Sequence, residues 1–148
     1  MDLSLVIPVY NEEKNLPALF DSICNVLVPL EYDWEIILVD DGSRDRSLQV
    51  LKEFAVQDEK HVRVISFRRN FGQTAAIAAG IDHAKGATIV LLDADMQNDP
   101  ADIPMLLAKL DEAMTWSAAG ARSVRTTPSL APCHRVWRML SLTMATIT

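Results

Sequence analysis

The segment Thr88-Ile89-Val90-Leu91-Leu92-Asp93-Ala94-Asp95-Met96-Gln97-Asn98-Asp99-Pro100 constrains this chain more than any other. Four of its first five residues are strongly apolar and nothing alternates. That is the pattern of a strand covered on both faces. In open α/β sheets, ligands sit at the carboxyl edge of such strands. Here that edge receives two carboxylates one residue apart, Asp93 and Asp95. Two hard oxygen donors beside Gln97 suit Mg²⁺ or Mn²⁺, ions that usually also take oxygens from a substrate phosphate. The segment predicts a metal-diphosphate site.

The rest of the chain supplies the sheet such a strand needs. Leu3 to Pro8 reads as a first strand, with Pro8 at its end because it cannot donate to a ladder. Leu16, Leu19, Phe20, Ile23 and Leu27 keep helical spacing within residues 14–27, and Pro17 falls in the first turn. Trp34 to Val39 is a second strand, broken by Asp40-Asp41-Gly42-Ser43. Asp45 or Ser47 is placed to cap a helix running to about Val56. Val62 to Phe67 is a third strand and Gln73 to Ala84 a third helix, whose Ala75, Ala76, Ala79 and Gly80 suit close backbone packing. After the Thr88–Leu92 strand, Pro100 starts a last helix with Ile103, Leu106, Leu107 and Leu110 inward. The order βαβαβαβα predicts an α/β fold: a mostly parallel, Rossmann-like sheet with helices on both faces. The Gly-x-Gly-x-x-Gly fingerprint is absent after the first strand, which argues against a dinucleotide enzyme.

Bulk properties narrow the function. The length of 148 residues fits one domain with a real core. The net charge of −6 argues against a nucleic-acid surface, whereas a divalent ion would still let an acidic protein hold a nucleotide. Two cysteines, Cys24 and Cys133, are too few for a disulfide framework or a zinc site and favour a reducing compartment. No signal peptide is expected, and no apolar run approaches the ~20 residues that span a bilayer.

Three strand ends carry polar clusters: Pro8–Glu13, Asp40–Ser43 and Asp93–Gln97. A parallel sheet brings all three to one edge, and this convergence outweighs any single cluster. Taken alone, Asp-Asp-Gly-Ser is first a turn and a helix cap. Asn11-Glu12-Glu13 is equally a solvated helix start. Asp93 and Asp95 also suit caps for the helix after Pro100, but two acids ending an apolar strand are costly unless paired or metal-bound. Arg68 and Arg69 read first as solvated, with a phosphate contact from a basic loop on the active edge as the alternative, and His61, His83 and His134 read as isolated.

Val6-Ile7-Pro8-Val9-Tyr10-Asn11-Glu12-Glu13, Ile37-Leu38-Val39-Asp40-Asp41-Gly42-Ser43, Arg69-Asn70-Phe71-Gly72-Gln73 and Leu92-Asp93-Ala94-Asp95-Met96-Gln97-Asn98-Asp99-Pro100 together resemble the family 2 glycosyltransferases. The nearest branch is the polyprenyl-phosphate sugar transferases, of the dolichol-phosphate mannose synthase and undecaprenyl-phosphate glycosyltransferase type. The resemblance covers about residues 2–112. It implies the nucleotide-sugar-binding half of a GT-A fold, a UDP- or GDP-sugar donor and Mg²⁺ or Mn²⁺. It further implies inverting transfer to an acceptor, a polyprenyl phosphate in the intact family. Pro8, Tyr10 and Glu12 match the family's positions around the nucleotide base and ribose, and Val39, Asp40 and Asp41 its second nucleotide contact. Asp93, Ala94 and Asp95 match the diphosphate motif, with Asp93, Asp95 and Gln97 as metal ligands. No catalytic base is assigned, because a lipid phosphate is already ionised at neutral pH. The intact family implies a cytoplasmic location with peripheral association at the membrane face. Readings from other classes are a non-catalytic nucleotide-binding remnant and a nucleotidyltransferase; the absence of a glycine-rich phosphate loop after the first strand gives the latter no support.

The chain divides at residue 112. All 20 acidic residues lie within 1–112, whereas 113–148 holds Arg122, Arg125, Arg135 and Arg138 and no acid. After Glu112 the family continues G-Y-D-V-V, a small residue and G, and later a stretch like L-P-S-R-x-A-N. Codons for Ala113–Arg122 and Cys133–Met139, read one base earlier, can spell both in the same frame. Residues 113–148 are therefore expected to be an aberrant, irregular tail produced by a frameshift. Sequencing the coding DNA tests this: codons unable to spell those motifs exclude it.

Overall fold

The structure, a computed structural model, describes residues 1–120 and 138–141. The elements run β1 (Leu3–Val9), α1 (Leu16–Leu27), β2 (Trp34–Asp40), α2 (Ser47–Gln57), β3 (Val62–Ser66), α3 (Gln73–His83) and β4 (Thr88–Leu91). A short 3₁₀ turn, Pro100–Asp102, then leads into α4 (Ile103–Gly120), and β5 (Arg138–Ser141) follows. The sheet order is β3-β2-β1-β4-β5, with every neighbouring pair parallel.

β1, β2 and β4 are buried along their whole lengths, as their unbroken apolar runs require. Alternate residues serve two cores. Leu3, Leu5, Ile7, Leu38, Val90 and Leu92 pack with Leu16, Leu19 and Ile23 of α1, Leu51 and Phe54 of α2, and Ile103 and Leu107 of α4. On the opposite face Val6, Ile37, Val39, Ile89 and Leu91 pack with Ala76 of α3. Helices thus cover both faces, as the alternation of elements predicts. α3 lies close to the sheet because Gly80 lacks a side chain: a Cβ there would stand 2.3 Å from Val6 Cγ1.

Pro8 lies within β1, one residue short of its end, opposite Val39 of β2. The Val6 carbonyl accepts the Leu92 N–H, so Val6 faces β4, and Pro8, two residues on, faces the same side. The β1–β4 ladder stops at Val6 opposite Leu91, so no bond is forfeited by the missing Pro8 N–H.

At the amino edge of the sheet sits a buried polar cluster. Glu35 accepts from Ser4 Oγ and Lys85 N–H at 2.6 Å each and from Arg63 at 2.5 Å. The Gly86 N–H donates to Ser4 Oγ at 2.8 Å. These bonds tie β1, β2, β3 and the connection from α3 into β4 together.

Residues 113–120 continue α4, and 138–141 add a strand beside β4 with Thr88 opposite Arg138. The expected irregularity of 113–148 therefore does not hold for these two segments. The run Ala113–Ala119 contains no proline or glycine and is compatible with a helix. Residues 121–137 and 142–148, on which the rest of that expectation falls, lie outside the described residues. Among the described residues no helix is long and apolar enough to cross a membrane.

Candidate functional site at the carboxyl edge

An open cleft of about 330 Å³ lies at the carboxyl edge, where β1 and β4 part. The sheet order reverses direction there, β2 lying on one side of β1 and β4 on the other, which is where open α/β sheets hold ligands. The end of β1 and the loop after it contribute Pro8, Val9, Tyr10 and Glu12; the turn after β2 contributes Asp41; the loop after β4 contributes Asp93, Ala94 and Asp95. The fourth wall is Asn70, Gly72 and Gln73, from the connection into α3.

The loops after β1 and β2 are latched to each other. Asn11, in a left-handed conformation with φ 57°, donates its N–H to Ser43 Oγ at 3.0 Å and accepts from the Arg44 N–H at 2.8 Å. The Glu12 N–H donates to Ser47 Oγ at 2.8 Å, and the Glu13 N–H to Asp45 Oδ2 at 3.2 Å. Glu13 in turn accepts from the Arg46 N–H at 2.9 Å. Asn11 and Glu13 thus serve the scaffold, while Glu12 faces the cleft with one carboxylate oxygen held by Asn15 Nδ2 at 2.7 Å. Of the two expected caps for α2, Asp45 accepts the Ser47 N–H at 2.9 Å, and the Ser47 hydroxyl is committed to the Glu12 loop.

Asp40 and Asp41, adjacent in sequence, part company in space. Asp40 is buried away from the cleft and accepts from the Ser43 N–H and Ser66 Oγ, both at 3.3 Å. Val39 is buried under α3. Asp41 lines the cleft and grips the α3 connection: its two oxygens accept the Phe71 N–H at 2.7 Å and the Gly72 N–H at 2.9 Å. Gly42, at φ 70°, lets the Arg69–Asn70 backbone lie directly against the turn.

Asp93 and Asp95 both face the cleft, as the strand end predicts. Gln73 Nε2 donates to Asp93 Oδ1 at 2.6 Å. Burial, and then the Asp95 carboxylate, push the Asp93 carboxyl above its ordinary value, and the Gln73 hydrogen bond opposes them. Asp95 accepts the Gln97 N–H at 3.0 Å across a tight turn with Met96 at φ 60°. The Gln97 side chain is exposed and outside the cleft lining. The cap before α4 is Asp99, which accepts the Ala101 N–H at 2.9 Å, so Asp93 and Asp95 are not spent as its caps.

Glu12, Asp41, Asp93 and Asp95 make the cleft acidic. Among the described residues no group of three or more His, Cys, Asp or Glu side chains is arranged to hold a metal ion. Two adjacent carboxylates are a partial shell that fits Mg²⁺ or Mn²⁺ when phosphate oxygens complete it. Asn70, Gly72 and Gln73 line the cleft, which strand-end reasoning misses because they enter from the loop before α3 and its first residue. The signal available was the Arg69–Gln73 motif; its basic residues suggested a phosphate contact, but Asn70, Gly72 and Gln73 line the cleft and Arg68 and Arg69 do not.

The family model for glycosyl transferase family 2 matches residues 4–138. A dodecaprenyl-phosphate galacturonate synthase of Rhizobium johnstonii is 42% identical over 111 residues, which is 75% of this chain and 33% of that protein. An undecaprenyl-phosphate 4-deoxy-4-formamido-L-arabinose transferase of Proteus mirabilis is 47% identical over 120 residues, 81% of this chain and 36% of that protein. The chain thus spans about one third of the length of these curated relatives. In fold it is similar to Staphylococcus aureus TarS residues 1–349 in complex with UDP, with a TM-score of 0.62, 23% identity, and coverage of 76% of this chain and 32% of that one. It is also similar to a mannosyltransferase of Pyrobaculum calidifontis in complex with GDP-mannose and Mn²⁺, with a TM-score of 0.58, 22% identity, and coverage of 78% and 32%.

Proposed function

The chain belongs to glycosyl transferase family 2, and from that premise we propose that it is the donor-binding half of an enzyme that moves a sugar from a nucleotide-sugar to a polyprenyl phosphate with inversion. The observation that carries this reading is the meeting of the β1, β2 and β4 ends on one acidic cleft. The relatives named for dodecaprenyl- and undecaprenyl-phosphate chemistry supply the acceptor class, and the fold neighbours bound to UDP and GDP-mannose supply the donor class.

Pro8, Tyr10 and Glu12 hold the nucleoside, Tyr10 presenting a half-exposed ring at the rim. Asp41 shapes the same wall, and Val39 and Asp40 fix the strand end beneath it. Asp93 and Asp95 would hold Mg²⁺ or Mn²⁺, with Ala94 between them lining the same cleft. Gln97 orients Asp95 through its backbone N–H. When bound, the cation supplies neutralisation of the charge that builds on the departing diphosphate. The acceptor phosphate is already ionised, so the chain needs no general base. A frameshift beyond residue 112 remains our proposal for the origin of the tail.

Calorimetry of the chain with UDP and with GDP, with and without Mn²⁺, tests the reading. Binding is expected to need Mn²⁺ and to be lost in Asp95→Ala. No binding of either nucleotide, or unchanged affinity in Asp95→Ala, overturns it. A transfer assay with polyprenyl phosphate then separates an active donor half from a nucleotide-binding remnant that turns nothing over.

A further inference from the structure

We propose that Gln73 is a positioning residue that holds the Asp93 carboxylate in the orientation in which it receives the metal-diphosphate. The proposal rests on the reading of Asp93 and Asp95 given above and deepens it. Gln73 Nε2 lies 2.6 Å from Asp93 Oδ1 and joins the start of α3 to the end of β4. Asp93 stands in the coil after β4, beyond the last ladder pair, Val6 opposite Leu91. Gln73 is the side-chain hydrogen-bond partner of its carboxylate.

Gln73 suits this task chemically. It is a donor without charge, so it fixes one carboxylate oxygen and leaves the negative charge available to a cation. A Lys or Arg at the same place would neutralise Asp93 and compete with the metal.

Gln73 is itself placed from the other side of the cleft. It follows Gly72, whose N–H, with that of Phe71, is gripped by Asp41. Gly72 also accepts the Ala75 and Ala76 N–H groups at 3.0 and 3.2 Å as α3 begins. Further along, Gly80 seats α3 against Val6 and Val39. The carboxylate ending β2 thus sets the helix start, and the helix start sets the carboxylate ending β4.

The test uses the whole chain, with Gln73→Ala and with Gln73→Met, which keeps the length of the stem and removes the donor. UDP and GDP affinities are measured by calorimetry with and without Mn²⁺, beside melting temperatures without metal. Both variants are expected to fold as the parent does, since Gln73 is exposed in the first turn of α3. In both, the Mn²⁺-dependent part of the nucleotide affinity is expected to fall about tenfold or more, the usual effect of removing a residue that orients a metal ligand. Affinity without Mn²⁺ is expected to hold. Equal Mn²⁺ dependence in parent and variants overturns the role of Gln73 alone. A parent chain without Mn²⁺-dependent binding overturns the site reading and this role together. A drop in melting temperature that accounts for the loss equally with and without Mn²⁺ makes Gln73 structural only and overturns the proposal.

Discussion

Gly42 lies so close to Arg69 that a Cβ on it would stand 2.3 Å from the Arg69 carbonyl carbon. Its φ of 70° also belongs to the left-handed region. Gly42→Ala therefore meets a backbone, which cannot move aside cheaply, and a disfavoured conformation. The variant is expected to lose roughly 1–3 kcal/mol of stability and to displace the Arg69–Gly72 segment from the cleft. Denaturant titration measures the first effect and Mn²⁺-dependent nucleotide binding the second; a parent-like midpoint contradicts the packing argument.

Asp41 accepts two backbone N–H groups with two oxygens. Asp41→Asn keeps one acceptor and turns an NH₂ toward an N–H donor. The expected cost is about 1 kcal/mol, the low end for a donor left unpaired, because Phe71 is exposed and Gly72 only half-buried. Amide hydrogen exchange is the direct readout: Phe71 and Gly72 should lose protection while the β1–β2 ladder keeps its own.

Asp93 gives the free protein a pH dependence. Its folded value lies above the ordinary 3.8, so its contribution to stability is full below 3.8 and is lost as pH rises through the folded value. Asp93→Asn escapes that loss. It should melt above the parent at neutral pH without divalent cation, by a small margin because Asp93 is partly exposed, and should match the parent in acid. Mn²⁺ with nucleotide should reverse the order. Coincident melting curves across the pH range would dismiss this account.

Glu35 is nearly sealed from solvent and takes donors from Ser4, Arg63 and Lys85. Glu35→Gln keeps an oxygen for Ser4 and Lys85 but sets an NH₂ against Arg63. The destabilisation should be on the order of 3 kcal/mol, the low end for a broken buried pair, because Arg63 is one-third exposed. The cluster is at the edge opposite the cleft. Nucleotide affinity of the folded variant should match the parent, and a selective loss of affinity would mean the two edges are coupled.

Unbroken apolar runs made the central strands legible, and 3.6-residue spacing made α1 and the start of α4 legible. The carboxyl-edge convergence of Tyr10, Asp41 and Asp93 followed from strand order alone. Contacts made by side chains across elements were not legible. Ser47 has the sequence context of a helix cap, yet its hydroxyl accepts the Glu12 N–H of another loop. Asp40 and Asp41 read as one unit, but adjacent residues leaving a strand point to opposite sides. Gln73 carried no periodic signal, because its partner lies one strand and one helix further along the chain. Helix α4 runs past residue 112 because an alanine-rich stretch without proline can continue a helix whatever its origin.

Pro8 has one more consequence. The β1–β4 ladder ends at Val6 opposite Leu91, and the next residue of β1 that faces β4 is Pro8. The ring nitrogen at Pro8 offers no hydrogen for a further rung. The cleft thus begins where β1 has no hydrogen to offer β4, so a further rung at that position is ruled out by the covalent structure of the chain itself.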